Sequence, residues 1–337
     1  MDTNPSTARH WTTPVLTSVI PVIESSRHVR TSPEAVRSVA SWMAYEEFGF
    51  PDGGVVDGLT LGTDPDHLMD LTMFETTLNF AFTDFGSGVK FEVERSGHTY
   101  SDTEAMVVCI QDAIARGVPI LDGGYLATVT RSDLESIFTG SIEMPMLDER
   151  VEILNEVGAV LVERYGGRFH RFVRDCAPSM YADGDGILER LLTEFPRFND
   201  ISDHHGHEVK IYKLAQLGLW MLHRALHASG AWSLHDLANM TAFADYIVPV
   251  GLNVMRILEY TDELAARIDA GEMFERDSEQ EVEIRAHTLY ATALLTDAVN
   301  AIRPPDKQLL IPQIDYRLWK TYHTTFKPHH LTRTVMY

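Results

Sequence analysis

The stretch VEILNEVGAVLVERYGG (residues 151–167) predicts a long amphipathic helix and thereby indicates the class of the fold. Its apolar residues recur every three to four positions, which places them on one helix face, and two consecutive glycines end the pattern. Further helices are predicted wherever a capping residue precedes an apolar period. These starts lie at Ser32-Pro33, Ser101-x-x-Glu104, Thr130-x-x-Asp133 and Ser278-x-x-Glu281. The chain is therefore expected to be mainly helical.

One segment breaks the helical pattern. Residues 89–94 (VKFEVE) alternate apolar and charged side chains, and Ser96-Gly97 supplies a turn, so a small antiparallel β insert is predicted here. No strand–helix–strand alternation occurs, which argues against a doubly wound nucleotide-binding sheet. We expect a mainly α (α+β) fold in which residues 25–337 form a single helical domain. Residues 1–24 contain three prolines and no helical period, and are expected to form an N-terminal arm.

The charge balance excludes one class of partner. The 337 residues contain 28 Lys+Arg and 49 Asp+Glu, which gives a formal net charge of −21. A protein that binds a polynucleotide neutralises its phosphates with a positively charged surface patch. The sequence contains no Lys/Arg-rich block. The expected partner is therefore a small molecule and not a nucleic acid polymer.

Cysteine usage and hydropathy indicate the compartment. Cys109 and Cys176 lack the spacing of a redox or metal motif and are expected to be buried free thiols. Residues 1–13 are polar, so no signal peptide is predicted. No apolar run reaches the roughly 18 residues that a membrane span needs. Together these features predict a soluble cytoplasmic protein without a membrane contact.

Asp245 is the single charged residue between Leu237 and Met255. A carboxylate in such apolar sequence either caps a helix or lies in a cavity where desolvation and a partner set its pKa. Pro249 has no amide hydrogen to bond the carbonyl of Asp245, so the backbone is expected to be irregular here. A structural cap and a catalytic carboxylate both stay open at this point.

Lys213 is the second unusual residue. It lies in VKIYKLAQLGLWML (residues 209–222), which is apolar almost all round and predicts a buried helix. It shares a face with Gln216 and Trp220 rather than with acidic residues. A lysine there either reaches solvent from the start of the helix or faces a ligand anion.

The histidine clusters favour structural roles. His204, His205 and His207 are interspersed with Gly206 and are expected in a surface turn rather than in a metal site, and His329-His330 is interpreted in the same way. The Glu281/Arg285 pair has the spacing of a solvated helix pair. No metal ion or organic cofactor is predicted.

Seven strings in order along the chain are similar to the queuosine salvage protein family, the queuosine 5′-phosphate N-glycosylases/hydrolases. Taken singly, the aromatic strings among them are more typical of a protein core. The resemblance extends from about Ser25 to Tyr337, and the N-terminal arm and residues 51–70 depart most from the family pattern. The strings are TLNFAF (77–82), GGYLATVT (123–130), MPMLDERVEILNEVGAVLVERYGGRF (144–169), IYKLAQL (211–217), MTAFADYIVP (240–249), GEMFERDSEQEVEIR (271–285) and IDYRLW (314–319).

The resemblance implies an enzyme that releases queuine, a 7-deazaguanine base, from queuosine 5′-monophosphate and leaves ribose 5-phosphate. Queuine would then be salvaged for tRNA modification. It also implies a fold similar to the helix-hairpin-helix DNA glycosylases without their nucleic-acid surface. The family's catalytic aspartate matches Asp245, its lysine matches Lys213, and the acid of its last string matches Asp315. No cofactor is implied.

The chemistry of that reaction suits those residues. Breaking an N-glycosidic bond develops positive charge on the ribose, which Asp245 would stabilise as a carboxylate, unless it activates water or attacks the sugar directly. A 7-deazapurine has carbon in place of N7, so the base leaves through hydrogen bonds to its guanine-like edges, for which Asn79 and Asp315 are candidates. Lys213 is a candidate for binding the 5′-phosphate or for tuning Asp245. The rings that would contact the base are Phe80, Phe82, Phe243, Tyr246, Tyr316 and Trp319.

Two other classes of function stay open on the sequence alone. A non-catalytic nucleoside- or base-binding protein would use the same aromatic pocket without a carboxylate at a bond that breaks. A base glycosylase acting on nucleic acid would share the fold, but the missing Lys/Arg-rich block disfavours it. The sequence does not predict the oligomeric state.

Overall fold

The computed structural model describes residues 10–48 and 62–337. The beginning of the predicted arm (residues 1–9) and much of the divergent 51–70 stretch lie outside the described residues. The chain divides into two compact units. The first unit comprises Met1–Phe50, Asp200–Gln216 and Asp236–Arg333, and the second comprises Pro51–Asn199, Leu217–His235 and Thr334–Tyr337.

The described part of the chain is mainly helical, as predicted. Its helices are α1 (Pro14–Ser25), α2 (Pro33–Met43), α3 (Pro65–Thr77), α4 (Asp102–Ala115), α5 (Gly123–Leu126), α6 (Arg131–Ile137), α7 (Leu147–Tyr165), α8 (Phe169–Asp175), α9 (Ile187–Glu194), α10 (Lys213–Leu226), α11 (Val248–Val254), α12 (Asp262–Asp269), α13 (Glu279–Asn300) and α14 (Ile311–Tyr322). Among these helices, none combines the length and the apolar character that crossing a bilayer requires.

The strands are short and pair two by two. They are β1 (Val29–Thr31), β2 (Glu92–Arg95), β3 (His98–Ser101), β4 (Ile201–His204), β5 (His207–Lys210), β6 (Leu258–Tyr260), β7 (Met273–Phe274) and β8 (Leu331–Thr332). The pairs β1–β6, β2–β3 and β4–β5 are antiparallel, and β7–β8 is parallel. The predicted insert is confirmed as the β2–β3 hairpin, which turns at Ser96-Gly97. The other strands are too short to produce a recognisable alternation.

Helix α13 is the central element of the first unit. It is buried over most of its length, and α1, α2, α11 and α14 pack against it. This packing places α14, which carries Asp315, and α11, which follows Asp245, on one core. The core around α13 consists mainly of aliphatic side chains, including Val36, Val39, Met43, Leu252, Ile284, Leu295, Val299 and Leu318.

In the second unit, α7 packs closely against the short helix α5. Gly158 permits this approach, since a Cβ at that position would lie 2.3 Å from the backbone nitrogen of Ala127. Helix α7 ends at Gly166 in the left-handed conformation, with φ of 57°, as the glycine pair predicted. The predicted caps Ser32, Thr130 and Ser278 each accept a backbone N–H of their helix, and α4 begins directly after Ser101.

The expectation of an irregular segment up to residue 24 is wrong, because α1 is helical from Pro14 to Ser25. Thr13 accepts the backbone N–H of Leu16, and Pro14 occupies the first turn, where its missing N–H costs nothing. Pro21 removes one internal hydrogen bond, which costs about 3 kcal/mol in an isolated helix. Packing against α13 offsets this cost by burying Val15, Leu16, Val19 and Val22.

Candidate active site

Asp245 lies in the loop before α11, in the first unit, and it caps that helix. Its Oδ1 accepts the backbone N–H groups of Ile247 at 2.8 Å and Val248 at 3.0 Å. Pro249 falls in the first turn of α11, where it is tolerated, so the helix does not extend back through Asp245. The capping role is thus confirmed. Because both cap bonds use Oδ1, the cap leaves Oδ2 for other chemistry, and Asp245 is 7% exposed.

Asp315 on α14 lies close enough to interact electrostatically with Asp245. Its Oδ2 accepts the backbone N–H of Phe243 at 2.8 Å, two residues before Asp245. Burial, and next the negative charge of Asp245, raise the pKa of Asp315 well above its ordinary value, while the Phe243 N–H and the charge of Lys213 oppose this shift. The result is an asymmetric carboxyl pair in which Asp315 retains its proton more readily than an ordinary aspartate.

Lys213 is the first residue of α10 and is 6% exposed, so it does not reach freely into solvent. Its backbone N–H donates to Asp200 Oδ2 at 3.3 Å. The predicted helix is confirmed from Lys213 onward, whereas Val209 and Lys210 belong to strand β5. The ammonium group acts electrostatically on Asp315. Lys213 therefore belongs to the same group of buried charges as the two aspartates.

A buried arginine joins the segments that carry Lys213 and Asp245. Arg285 on α13 pairs with Asp200 through two hydrogen bonds, of 3.1 and 2.6 Å, and its Nε donates to the carbonyl of Ala244 at 3.1 Å. Glu281 lies 3.6 Å from Arg285. The expectation of a solvated Glu281/Arg285 pair is wrong, since both side chains are fully buried. The tertiary structure supplies Asp200 as the partner that makes burial of the guanidinium tolerable.

Gln216 fastens the loop that leads to Asp245. Its Nε2 donates to the carbonyl of Ile211 and to the hydroxyl of Thr241, and its Oε1 accepts the backbone N–H of Thr241 at 2.9 Å. All of these groups are buried. Because Gln216 lies one helical turn after Lys213, these bonds couple the start of α10 to the loop of Asp245.

The aromatic side chains predicted near these charges are exposed to different degrees. Phe243 is buried, whereas Tyr246, Tyr316 and Trp319 are partly exposed. Tyr316 and Trp319 lie on α14, with ring centroids 6.2 Å apart in a stacked arrangement. Partly exposed rings of this kind offer a face to a planar base. The aromatic residues predicted from MTAFADYIVP and IDYRLW are thus on the same unit as Asp245.

The segment before β8 contributes two histidines. His329 packs on the ring of Tyr246 at 4.5 Å, and with Lys327 it lines a cavity of about 90 Å³ beside α11. The expectation of a surface turn is wrong for His330, which is buried. Burial, His329 and the charge of Arg285 lower the pKa of His330 to about 3.

Three predicted residues belong to the second unit. The side chain of Asn79 accepts the hydroxyl of Thr103 at 3.1 Å, and Phe80 and Phe82 are buried. The guanidinium of Arg150 lies 4.2 Å from the centre of the Phe80 ring and 5.5 Å from that of Phe82. This placement is typical of a core, because the Phe80 ring is occupied by protein cations.

Two buried arginines hold the backbone of the TLNFAF string. Arg150 donates to the carbonyls of Leu78, Phe80 and Ala81, and Arg197 donates to that of Thr77 at 2.8 Å. Burial and the charge of Arg197 lower the pKa of Arg150 to about 9. These contacts fix the backbone of residues 77–82, most of which lie outside regular secondary structure.

Glu75 is a further candidate that the sequence analysis missed. It lies on α3, one turn before Asn79, and its Oε1 is buried without a hydrogen-bond partner among the described residues. Burial raises the pKa of Glu75 to about 8. A carboxyl group with this pKa exchanges a proton near neutral pH. Nothing in its sequence context, in which it follows Phe74, distinguishes it from a surface glutamate.

The other missed residues are those that position the site. Arg150, Gln216 and Arg285 lie inside strings of the family resemblance, which could have drawn attention to them. Arg197 and Asp200 lie in FPRFND (195–200), which contains no motif. Their roles depend on partners far away in sequence, so local patterns carry no signal for them.

The described part of this mainly helical protein contains two buried carboxyl groups and a buried lysine on one unit, which are groups of the kind that acid–base enzymes use. Comparison with known proteins is more specific. The sequence profile of the queuosine salvage protein family matches residues 60–337. The chain therefore belongs to the queuosine salvage protein family.

Individual relatives agree with this assignment. A Sphaerobacter thermophilus protein is 32% identical over 326 residues, which cover 96% of this chain and 97% of the relative. A Bos taurus protein is 28% identical over 334 residues, covering 94% and 96%, and a Mus musculus protein is 29% identical over 272 residues, covering 77% and 79%. Each of these relatives is named queuosine 5′-phosphate N-glycosylase/hydrolase.

Proposed function

We propose that this protein hydrolyses the N-glycosidic bond of queuosine 5′-monophosphate and releases queuine and ribose 5-phosphate for queuine salvage. The names of relatives that align over nearly the whole chain support the substrate. The observation that carries the chemistry is that Asp245 and Asp315 are both buried and interact electrostatically, so that burial and the charge of Asp245 raise the pKa of Asp315.

Asp245 acts on the sugar. The cap bonds hold its carboxyl group in one orientation, and Oδ2 faces the developing positive charge on C1′ of the ribose. In a buried site of low dielectric, that interaction is stronger than in water. The same orientation would allow Asp245 to act as the base for a water molecule that attacks C1′. It would also allow the carboxylate to attack C1′ directly.

Asp315 acts on the base. Its Oδ2 accepts the Phe243 N–H, so Oδ1 is the oxygen that carries the proton and donates it in a hydrogen bond. Such a donor offsets the negative charge that develops on the 7-deazaguanine ring as the glycosidic bond breaks. Asp315 is suited to this role because its buried environment favours the protonated form of its carboxyl group.

Lys213 acts on the carboxyl pair. Its burial and its electrostatic interaction with Asp315 support a tuning role over a contact with the 5′-phosphate. Lysine is suited to this role because its charge is compact and its stem flexible. Removing that charge would raise the pKa of Asp315 further.

The remaining predicted residues bind the base. Phe243, Tyr246, Tyr316 and Trp319 supply ring contacts, and the family resemblance implies that Asn79 supplies polar contacts. Phe80 and Phe82 support Asn79 by forming the packed side of the same string. As the family resemblance implies, residues 25–337 form one catalytic domain of the helix-hairpin-helix glycosylase type, and the family profile matches residues 60–337 of it.

The test is release of queuine by an Asp245→Asn variant. The amide oxygen of Asn preserves the acceptor for Ile247 and Val248, so the fold is retained. Loss of the negative charge is expected to slow turnover of queuosine 5′-monophosphate about 10²–10³-fold, in the range found for removal of one group that stabilises transition-state charge. The rate is measured by chromatography of free queuine.

Asp306→Asn is the matched control, because Asp306 is an exposed acid of the same unit. It should retain the wild-type rate. Near wild-type release by Asp245→Asn would overturn the assignment of Asp245. Binding of intact monophosphate without any release by the wild-type protein would instead identify a binding protein.

A further inference from the structure

Three side chains of the first unit meet where the β4–β5 hairpin lies against the start of α13. His204 ends β4, His205 begins the turn to β5, and Glu279 is the first residue of α13. We call them the His–Glu cluster. One ligand atom from each lies within 4.8 Å of the other two, and His205 Nε2 is 3.0 Å from Glu279 Oε1.

His204 is unusual within this cluster. The expectation of a surface turn is wrong for this residue, which is 2% exposed. Neither of its ring nitrogens has a hydrogen-bond partner among the described residues, and Glu283 Oε1 is 3.8 Å from Nε2, too far for a hydrogen bond. A buried imidazole without partners is unfavourable, and a ligand at the cluster would remove this cost.

Glu283 is not available as a ligand. Its two oxygens accept the backbone N–H groups of Arg27, His28 and Val29 at 2.8–2.9 Å. Glu283 therefore holds the chain that leads into β1. The donors of the cluster are two imidazoles and the carboxylate of Glu279, a set that zinc accepts.

The groups around Glu279 leave room for an ion to compete. Arg27 Nε lies 3.8 Å from Glu279 Oε1, and its side chain is 70% exposed. His28 Nε2 lies 3.7 Å from Glu279 Oε2. The Arg27 pair is exposed, and at this length it is weak because water screens it, while His28 is too far from Glu279 for a hydrogen bond.

We propose that the His–Glu cluster binds one divalent transition-metal ion of the zinc type, with water at the remaining position. Zinc–nitrogen distances of about 2.0–2.1 Å place tetrahedral ligand atoms roughly 3.4 Å apart. His205 Nε2 and Glu279 Oε1 are already 3.0 Å apart, so the adjustment that remains is their approach to buried His204, which their partly exposed side chains make by rotation.

The ion would stabilise the elements that carry the candidate active site. Strand β4 begins directly after Asp200, strand β5 leads to Lys213, and α13 carries Arg285. A metal that joins the hairpin to the start of α13 would therefore hold the two elements that the Arg285–Asp200 pair also joins. The role is structural, and it does not depend on the proposed reaction.

The experiment uses the full chain after treatment with a chelator. Zn²⁺ titration by calorimetry is expected to show one ion bound per chain, and Co²⁺ is expected to give the visible absorption bands of a low-symmetry nitrogen–oxygen site. The variants His205→Ala and Glu279→Gln remove partly exposed ligands without a cavity in the core. Each should weaken Zn²⁺ binding more than about tenfold, since even changes outside the ligand set cost that much in metal sites.

His207→Ala is the matched control, because His207 is exposed and lies on the same hairpin outside the cluster. It should bind Zn²⁺ as the wild-type protein does. Absence of stoichiometric binding in the wild-type protein would overturn the proposal. Unchanged affinity in His205→Ala and Glu279→Gln, or an equal loss in His207→Ala, would overturn it as well.

Discussion

Asp315 is a group whose protonation depends on the folded structure. Burial and the charge of Asp245 raise its pKa well above the ordinary value of 3.8, so the folded state binds this proton more tightly than the unfolded chain. The stability that the proton contributes is fully present below the ordinary pKa. It is lost progressively as the pH rises from the ordinary pKa to the folded-state pKa, because over that range the unfolded chain has released the proton that the folded protein still holds.

We expect Asp315→Asn to remove this pH dependence. The amide oxygen still accepts the Phe243 N–H, and the neutral amide has no proton to lose. From pH 4 upward the free energy of unfolding should therefore increase in the variant relative to the wild type. Urea unfolding at a series of pH values measures this difference, with Asp306→Asn as the control. A parallel pH dependence in Asp315→Asn and wild type would contradict the prediction.

Lys213 allows its two candidate roles to be separated. Lys213→Met keeps the apolar stem and removes the charge that favours ionised Asp315. If Lys213 tunes the carboxyl pair, kcat/KM should fall by the same factor for queuosine 5′-monophosphate and for queuosine. Lys210→Met, at a partly exposed lysine that pairs with Glu208, is the control. A much larger loss on the monophosphate would instead assign Lys213 to the phosphate.

At the scale of elements, the close contact between α5 and α7 predicts whether Gly158→Ala stabilises or destabilises the protein. Gly158→Ala in an ordinary helix would stabilise it by up to about 1 kcal/mol. Here the new Cβ would lie 2.3 Å from Ala127 N and 2.7 Å from Gly123 O, both backbone atoms that cannot move aside alone. We expect a loss of about 1–3 kcal/mol in the free energy of unfolding, the usual cost of overpacking.

Urea unfolding measures this loss. Val162→Ala is the matched control, because Val162 is an exposed residue of the same helix and its truncation should change stability by less than about 0.5 kcal/mol. A more stable Gly158→Ala variant would show that the two helices do not approach as closely as described.

Elements also differ in how far local sequence predicts them. The capped helices α2, α6 and α13 begin where their Ser or Thr caps predicted, because an N-cap bond forms within four residues. Helix α1 was not predicted, since packing of its buried face on α13 outweighs Pro21. Strands β1 and β6 were missed because they are short and pair residues far apart in sequence, such as Val29 and Tyr260.

At the scale of the whole molecule, the net charge of −21 predicts the form of the substrate. A polyanion is repelled by such a surface charge, whereas one mononucleotide needs few cations. We expect no queuine release from intact tRNA that contains queuosine, under conditions in which the monophosphate is fully cleaved. Chromatography of both reactions at low salt measures this. Release from intact tRNA would contradict the prediction and favour a polymer-acting glycosylase.

The candidate site was predictable in part. Asp245 stands out in the sequence because it is the only charge in an apolar stretch, and Lys213 stands out similarly. The family resemblance added Asp315. Two hydrogen-bonded pairs position these residues, Asp200 with Arg285 and Gln216 with Thr241. Neither pair was predictable, because each joins residues at least 25 positions apart.

The sequence by itself determined the helical class of this protein, the starts of its capped helices and the family to which it belongs. These properties depend on periodicity, on caps and on strings of residues, all of which are local. Only the tertiary structure decided that Arg285 is buried against Asp200, that Asp315 favours its proton and that His204 lies buried beside Glu279. Each of these depends on desolvation and on partners from distant elements, and folding alone brings those together.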